Sequence, residues 1–267
     1  MSKRRFIPFL LAAVVAVLTS VVYAQQSPSN LTRTQLELER QQQRLHSSDP
    51  EERRDAVMRL SSMRTANASR IALPAVNDPV PMVRAVATHA ILSLRPDESI
   101  SALLPLLNDK NEFVRREAAY ALGSTHNSNA TQPLANLLLT DKEDGVRSAA
   151  AVALGEIKDE SSVVVLGSVL SPELTAPGRG KPRQEKNPFV LRSVARSLGQ
   201  IKSRAGTQAL TAALLNEKND LDVRREAAMS LGAIGDPGAV SALTAATSSE
   251  DPYLARAASE SLRKISH

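Results

Sequence analysis

Cysteine and tryptophan are absent from this chain, and aromatic side chains of any kind are few: four Phe and three Tyr in 267 residues. Without cysteine there is no disulfide, no thiolate zinc site, no cysteine nucleophile and no lipid-bearing cysteine at a lipoprotein cleavage point. With so few rings, Ala, Leu and Val must build the core. Such small side chains suit closely packed helices, and they suit a large ligand pocket, usually lined by aromatic groups, poorly. Excess charge is small too. The formal net charge is +5, and Lys3, Arg4 and Arg5 carry three of those charges at the very start. What remains is not the basic stripe that nucleic acid demands, so no nucleic-acid partner is expected. Catalytic groups are equally sparse. His46, His89, His126 and His267 show no ligand spacing, and no serine sits in a nucleophile elbow. No catalytic residue, metal site or cofactor is assigned, and the chain is read as a non-enzyme.

Long apolar runs are missing apart from one. A basic start, MSKRR, leads into FIPFLLAAVVAVLTSVV, then the small-x-small triplet Val22-Tyr23-Ala24 and the polar QQSPSN. This is the pattern of a secretory signal peptide over residues 1–24. The rival reading is an uncleaved anchor in the inner membrane, since the run from Phe6 to Ala24 nearly spans a bilayer. Either way the remainder is expected to be exported, to the periplasm or the cell exterior, with membrane contact confined to this segment.

What is present in abundance is repetition. VRREAAYALG at 114–123 returns as VRREAAMSLG at 223–232. Aligned on a recurring Leu or Ile, the register falls at Leu60, Ile91, Leu122, Leu154, Leu198, Leu231 and Leu262, at intervals of 31, 31, 32, 44, 33 and 31 residues. Seven residues before the register stands Arg53, Arg84, Arg115, Arg147 or Arg224, and just after it Gly123, Gly155, Gly199 or Gly232. Val114, Ala118 and Leu122 recur every four residues, which makes one apolar face of a helix. The Gly is expected to end that helix in a left-handed conformation. Asp49-Pro50, Asp78-Pro79 and Asp251-Pro252 are expected to open helices, Asp as cap and Pro in the first turn. A second apolar run follows each first helix, as in ATQPLANLLL and GTQALTAALL. Each unit thus reads helix, tight turn, helix.

The pattern VRxxAAxALGxI followed by a second helix resembles HEAT repeats, most of all the short HEAT-like type also found in phycobilin lyases. The resemblance covers residues 47–267 and implies an all-α, right-handed α-solenoid of about six and a half repeats. Residues 25–46 would supply a linker and a polar capping helix, LTRTQLELERQQQRLH. The repeat says little about function, because such arrays serve many unrelated roles.

Four groups of residues are candidates for function. The repeated arginines lie at the edge of the buried face and need partners. Asp78, Asp109 and Asp141, six residues upstream of Arg84, Arg115 and Arg147, are the expected ones, forming a structural ladder that also includes Arg224. Leu191 and Ala255 replace the arginine in the fifth and seventh units, where the ladder should weaken. The long interval contains a Pro- and Gly-rich insertion, residues 171–189, whose Arg179, Lys181, Arg183 and Lys186 would make a basic docking loop. Second helices in such arrays line the concave face, which would present Ser101, Gln132, Asn136, Gln208 and Thr211 to a protein partner. Arg263 stands where the last unit's Gly would be, and the final helix is open to self-association. The expected function is an exported protein-binding scaffold using the concave face, the inserted loop, or both. The alternative is a phycobilin lyase-like enzyme or accessory subunit acting on a chromophore, which the resemblance allows and the scarcity of aromatic rings opposes.

Overall fold

The computed structural model describes residues 32–174 and 185–266. The expected signal segment lies outside them, as do Arg179, Lys181 and Arg183. Among the described residues there is no strand, and no helix is long and apolar enough to cross a membrane.

An N-terminal helix, α1 (Arg33–Arg44), precedes the array and is closed by a capping box between Thr32 and Gln35. Its Leu38 packs against the first repeat, and its Glu37 meets Arg59 at 3.1 Å. Six helix pairs follow: α2 (Pro50–Met63) with α3 (Ala66–Ala72), α4 (Pro81–Ala90) with α5 (Pro96–Leu103), α6 (Glu112–Ser124) with α7 (Thr131–Thr140), α8 (Asp144–Ile157) with α9 (Val163–Leu170), α10 (Pro188–Ile201) with α11 (Thr207–Leu215), and α12 (Leu221–Ile234) with α13 (Val240–Ala246). A lone first helix, α14 (Pro252–Ile265), ends the stack. The helices α3 and α5 pass into short 3-10 turns at Leu73–Asn77 and Leu104–Asn108. Pro74 and Pro105 lie there; proline lacks the N–H that α-helical bonding requires. In α7 the proline, Pro133, falls in the first turn, and the helix continues undisturbed.

The register residues Leu60, Ile91, Leu122, Leu154, Leu198 and Leu231 are fully buried, as are Leu103, Leu134, Leu166, Leu210 and Leu243 of the second helices. All belong to one continuous core. This is an all-α solenoid: no single pair can bury its apolar face, and stacking does it for all of them.

The register glycines do not end the helices. They keep right-handed conformations inside them, and the left-handed position falls three residues later, at His126, Lys158, Lys202 and Gly235. Their role is close approach. A Cβ on Gly123 would lie 2.8 Å from Ala153 Cα, on Gly199 2.9 Å from Ser230 Cα, and on Gly232 2.8 Å from Ser261 Cα. Successive first helices therefore touch backbone to backbone, whereas successive second helices stand further apart. A stack whose first layer is the tighter one bends toward that layer. The concave side is thus the outer face of the first helices, which corrects the expectation that second helices line it.

Asp49 and Asp251 do cap helices, accepting from the backbone N–H groups of Glu51 and Leu254. Asp78 does not: α4 begins at Pro81 with Val80 as its N-cap, and the Asp78 carboxylate is used elsewhere. The insertion is also shorter than 171–189. Ser171 is buried and donates to the Ala209 carbonyl at 2.9 Å, and α10 already starts at Pro188, capped by Asn187.

Candidate functional site

Two features recur through the array: a buried arginine ladder along one edge and an exposed row of large side chains along the concave face.

The ladder pairs differently from the sequence expectation. Each arginine reaches forward to the next repeat. Arg53 holds Asp78, Arg84 holds Asp109 and Arg115 holds Asp141, each through Nε at 2.7 Å with a second bond from Nη2. The residue six places upstream does contact the arginine, through its backbone carbonyl: Asp78 O to Arg84 at 2.7 Å, Asp109 O to Arg115 at 2.9 Å, Asp141 O to Arg147 at 3.0 Å. Each aspartate therefore joins two arginines, one by its side chain and one by its backbone. Arg147 closes the run on Glu185 at 2.7 Å and also meets Asp144. Glu185, just after the insertion, takes the place of the missing aspartate. Burial by itself would push the Asp78, Asp109, Asp141 and Glu185 carboxyls up. Hydrogen bonds from the arginine and from a backbone N–H, together with arginine charge, outweigh it and hold all four below their ordinary values.

Beyond Glu185 the pattern breaks. Leu191 is buried in the arginine position. Arg224, expected in the ladder, makes no ion pair among the described residues and donates from Nε to the Leu214 carbonyl at 2.8 Å. Its neighbour Arg225 pairs with Asp251 at 2.6 Å instead, and Arg196 with Glu226 at 2.7 Å, both on the concave side.

The concave row was not singled out from sequence. Phe113, Phe189 and Tyr253 all stand nine residues before their register residue, and Met82 shares that place. Met58, His89, Tyr120 and Met229 stand two before it. At helical pitch both places point away from the buried register residue. Phe189 is 51% exposed and Tyr253 69%, while Phe113 and Tyr120 are half-buried. Arginine planes lie over three of these rings: Arg116 on Phe113 at 4.8 Å, Arg192 on Phe189 at 5.9 Å and Arg225 on Tyr253 at 5.3 Å. At the N-terminal end the row encloses a shallow depression of about 370 Å³, lined by Met58, Val86, His89, Phe113 and Glu117 among others. The remaining aromatic residues of the chain, Phe6, Phe9 and Tyr23, belong to the N-terminal apolar segment. Every ring in the array therefore lies on one face. That signal was available in the sequence as a register coincidence among rare residues.

The second-layer candidates lie on the opposite side. Gln132 and Gln208 are exposed, and Gln132 donates to Asn136 at 3.0 Å. Asn136 also edges a small groove with Pro133 and Leu107. Thr211 does not point outward, and its Oγ1 is buried with no hydrogen bond among the described residues. Lys186 is exposed beside Glu185. Among the described residues no cluster of His, Asp or Glu could hold a metal ion. Burial pushes the Glu156 carboxyl up, and its Oε2 is buried with no hydrogen bond among the described residues, while His126 Nδ1 meets the Glu156 backbone carbonyl at 2.8 Å and not the carboxyl. In α14, Leu254, Ala257 and Ala258 are buried and Leu262 and Ile265 pack on the core, which leaves Arg256, Ser259, Arg263 and Lys264 outermost.

The family description of HEAT repeats matches residues 39–123, 70–155, 100–173 and 183–263. No curated protein matches the chain in sequence. Among solved structures, the chain is similar to the CpcE–CpcF phycocyanin lyase complex of Nostoc at 20% identity, with 90% of this chain and 97% of that one covered and a TM-score of 0.52. It is similar to YibA of E. coli at 16% identity over the whole of both chains, with a TM-score of 0.52. An engineered protein shares 23% identity over 86% of this chain and 68% of its own, with a TM-score of 0.51. At these identities the likeness shows the fold alone.

Proposed function

The chain belongs to the HEAT-repeat proteins, and from that premise we propose that it is an exported, non-catalytic scaffold that grips a protein partner along its concave face. One observation carries the reading: all four rings of the array, with Met58, Met82 and Met229, line that face in register, and three of the rings carry an arginine plane. Aromatic residues, Met and Arg are the side chains enriched at the centres of protein interfaces, because they bury much area at little cost in conformational freedom. Stability does not call for them there, since the core closes with Ala, Leu and Val. The N-terminal MSKRR and the apolar run after it support export.

The test is affinity capture from envelope and secreted fractions, using the full chain beside a Phe189→Ala/Tyr253→Ala variant and a chain lacking residues 175–184. The expected outcome is a partner held by the full and loop-deleted chains and bound at least about tenfold more weakly by the double variant. Loss on loop deletion alone would move the site to Arg179, Lys181, Arg183 and Lys186. Equal retention by all three would move it to the second layer, around Gln132, Asn136 and Gln208. No specific partner in any lane overturns the scaffold reading, and lyase activity on a bilin acceptor would replace it. For export, mass spectrometry should find a secreted chain beginning at Gln25; an intact Met1 in a cytoplasmic chain overturns that part.

A further inference from the structure

The repeat supplies its own template for a site near its far end. In the ladder, a carboxylate 25 or 26 residues after the arginine is held by Nε and Nη2, and one of its oxygens also accepts the backbone N–H two residues on: Val80 at 2.8 Å, Asn111 at 2.8 Å, Glu143 at 2.9 Å. Glu185 keeps the same arrangement with the Asn187 N–H at 2.9 Å. At the junction of the last two units the arginine is present, but the place two residues before the helix N-cap, where Asp78, Asp109, Asp141 and Glu185 stand in the other units, holds no carboxylate, and Glu250, twenty-six residues after Arg224, is exposed and pairs with nothing among the described residues. Twenty-five residues after Arg224 stands Ser249. Its Oγ still accepts the N–H of Asp251, at 3.2 Å, and so does half of the carboxylate's task. It is too short and uncharged to do the other half. Arg224 has turned to the Leu214 carbonyl, its one side-chain hydrogen bond among the described residues. A cavity of about 650 Å³ opens beside it, lined by Leu215, Leu221, Arg224, Ala246, Ser249 and Asp251 among others.

We propose that this cavity is a carboxylate-binding site, in which Arg224 receives from a separate molecule the group that the other repeats supply from within. A bidentate guanidinium–carboxylate pair, with charge on both partners and two bonds, is stronger than the single bond to the neutral Leu214 carbonyl that it replaces. Asp251 does not fill the seat, because Arg225 holds both of its oxygens, at 3.0 and 2.6 Å. Glu217 and Glu250 lie exposed on the rim and pair with nothing among the described residues. Their charge opposes any anion and a multiply charged one most, which leaves a single carboxylate, rather than phosphate, as the anion best suited to Arg224. Leu215, Leu221 and Ala246 give that ligand an apolar wall. Both a small free carboxylic acid and an acidic side chain or C-terminus of a protein carry this group.

The test uses the full chain, with sodium acetate titrated against sodium chloride at matched ionic strength and neutral pH. The readouts are the Arg224 Nε–Hε resonance and Tm, compared among wild type, Ser249→Asp and Arg224→Gln. Acetate should move the Arg224 resonance in the wild type and raise its Tm. It should do neither in Ser249→Asp, where the seat is filled internally, nor raise Tm in Arg224→Gln. Ser249→Asp alone should raise Tm by about 2–4 °C. A short peptide with one glutamate and blocked ends, binding at least about tenfold more tightly than acetate, would place the carboxylate on a protein; parity with acetate would place it on a small acid. If acetate moves the resonance no further than chloride does, or stabilises all three chains alike, there is no carboxylate seat at Arg224. Should Ser249→Asp fail to fold, the contrast between wild type and Arg224→Gln still decides.

Discussion

Lys158 ends α8 with φ 59° and ψ 30°, a left-handed conformation that crowds a Cβ against the following carbonyl and that glycine adopts freely. Lys202 does the same at the end of α10, and Gly235 alone among these positions carries the residue suited to it. Lys158 is exposed, so nothing of its side chain is needed for packing. Lys158→Gly is therefore expected to stabilise the chain by about 1 kcal/mol, a rise in Tm of roughly 2–4 °C, read by calorimetry. A fall in Tm would mean that the lysine stem covers more of the helix end than its exposure suggests. The register glycines show the same contrast between local pattern and use. Their position after a helical apolar run looks like a helix end, and only the distance to the neighbouring helix reveals a different use.

Between elements, the spacing of the first helices decides the shape. Gly199 lets α10 lie on α12, and a Cβ there would sit 2.7 Å from Ser230 Cβ and 2.9 Å from its Cα. A backbone atom cannot turn aside as a long side chain does, so the helices must part. Gly199→Ala gains about 1 kcal/mol in helix propensity but incurs overpacking of about 1–3 kcal/mol. The net expectation is a lower Tm, by roughly 2–4 °C for each kcal/mol, with a less curved array by small-angle scattering. A variant with unchanged Tm and unchanged curvature would show that the contact does not set the bend. The second helices tolerate more. Interrupted by Pro74 and Pro105, they still close the core because their spacing is looser.

For the whole molecule, the ladder ties repeats one to five into a chain of buried and half-buried ion pairs, and its carboxylates are held below their ordinary values in the fold. A carboxyl with a depressed folded pKa contributes stability that is present above its unfolded pKa and is lost as pH falls through the folded one. For Asp141, with an ordinary value of 3.8, the loss begins near that pH and completes below it. Asp141→Asn leaves Arg115 buried without its counter-charge and should cost about 3–5 kcal/mol at neutral pH. The gap between wild type and variant should then narrow as pH drops below about 4, measured by urea unfolding from pH 7 to pH 2.5. A gap that stays constant with pH would mean that the pair acts through shape rather than charge.

The sequence alone determined the repeat, its helical grammar, the all-α class and the buried register residues. These depend on periodicity, which a single chain displays, and on a core of Ala, Leu and Val that small helices can share. It also exposed the arginines as in need of partners. It could not say which carboxylate each arginine takes, because Asp78 and Asp109 are both near Arg84 in one sense, by chain and by stacking respectively. Stacking won, since the side chain of Arg84 reaches forward across the interface while the nearer aspartate turns only its carbonyl back. Which layer faces inward was likewise a tertiary matter: it depends on backbone contact at Gly123, Gly199 and Gly232, a distance between elements with no local trace. The aromatic row and the empty place beside Arg224 lay in the letters all along, and became visible once the fold showed which positions of different repeats stand side by side.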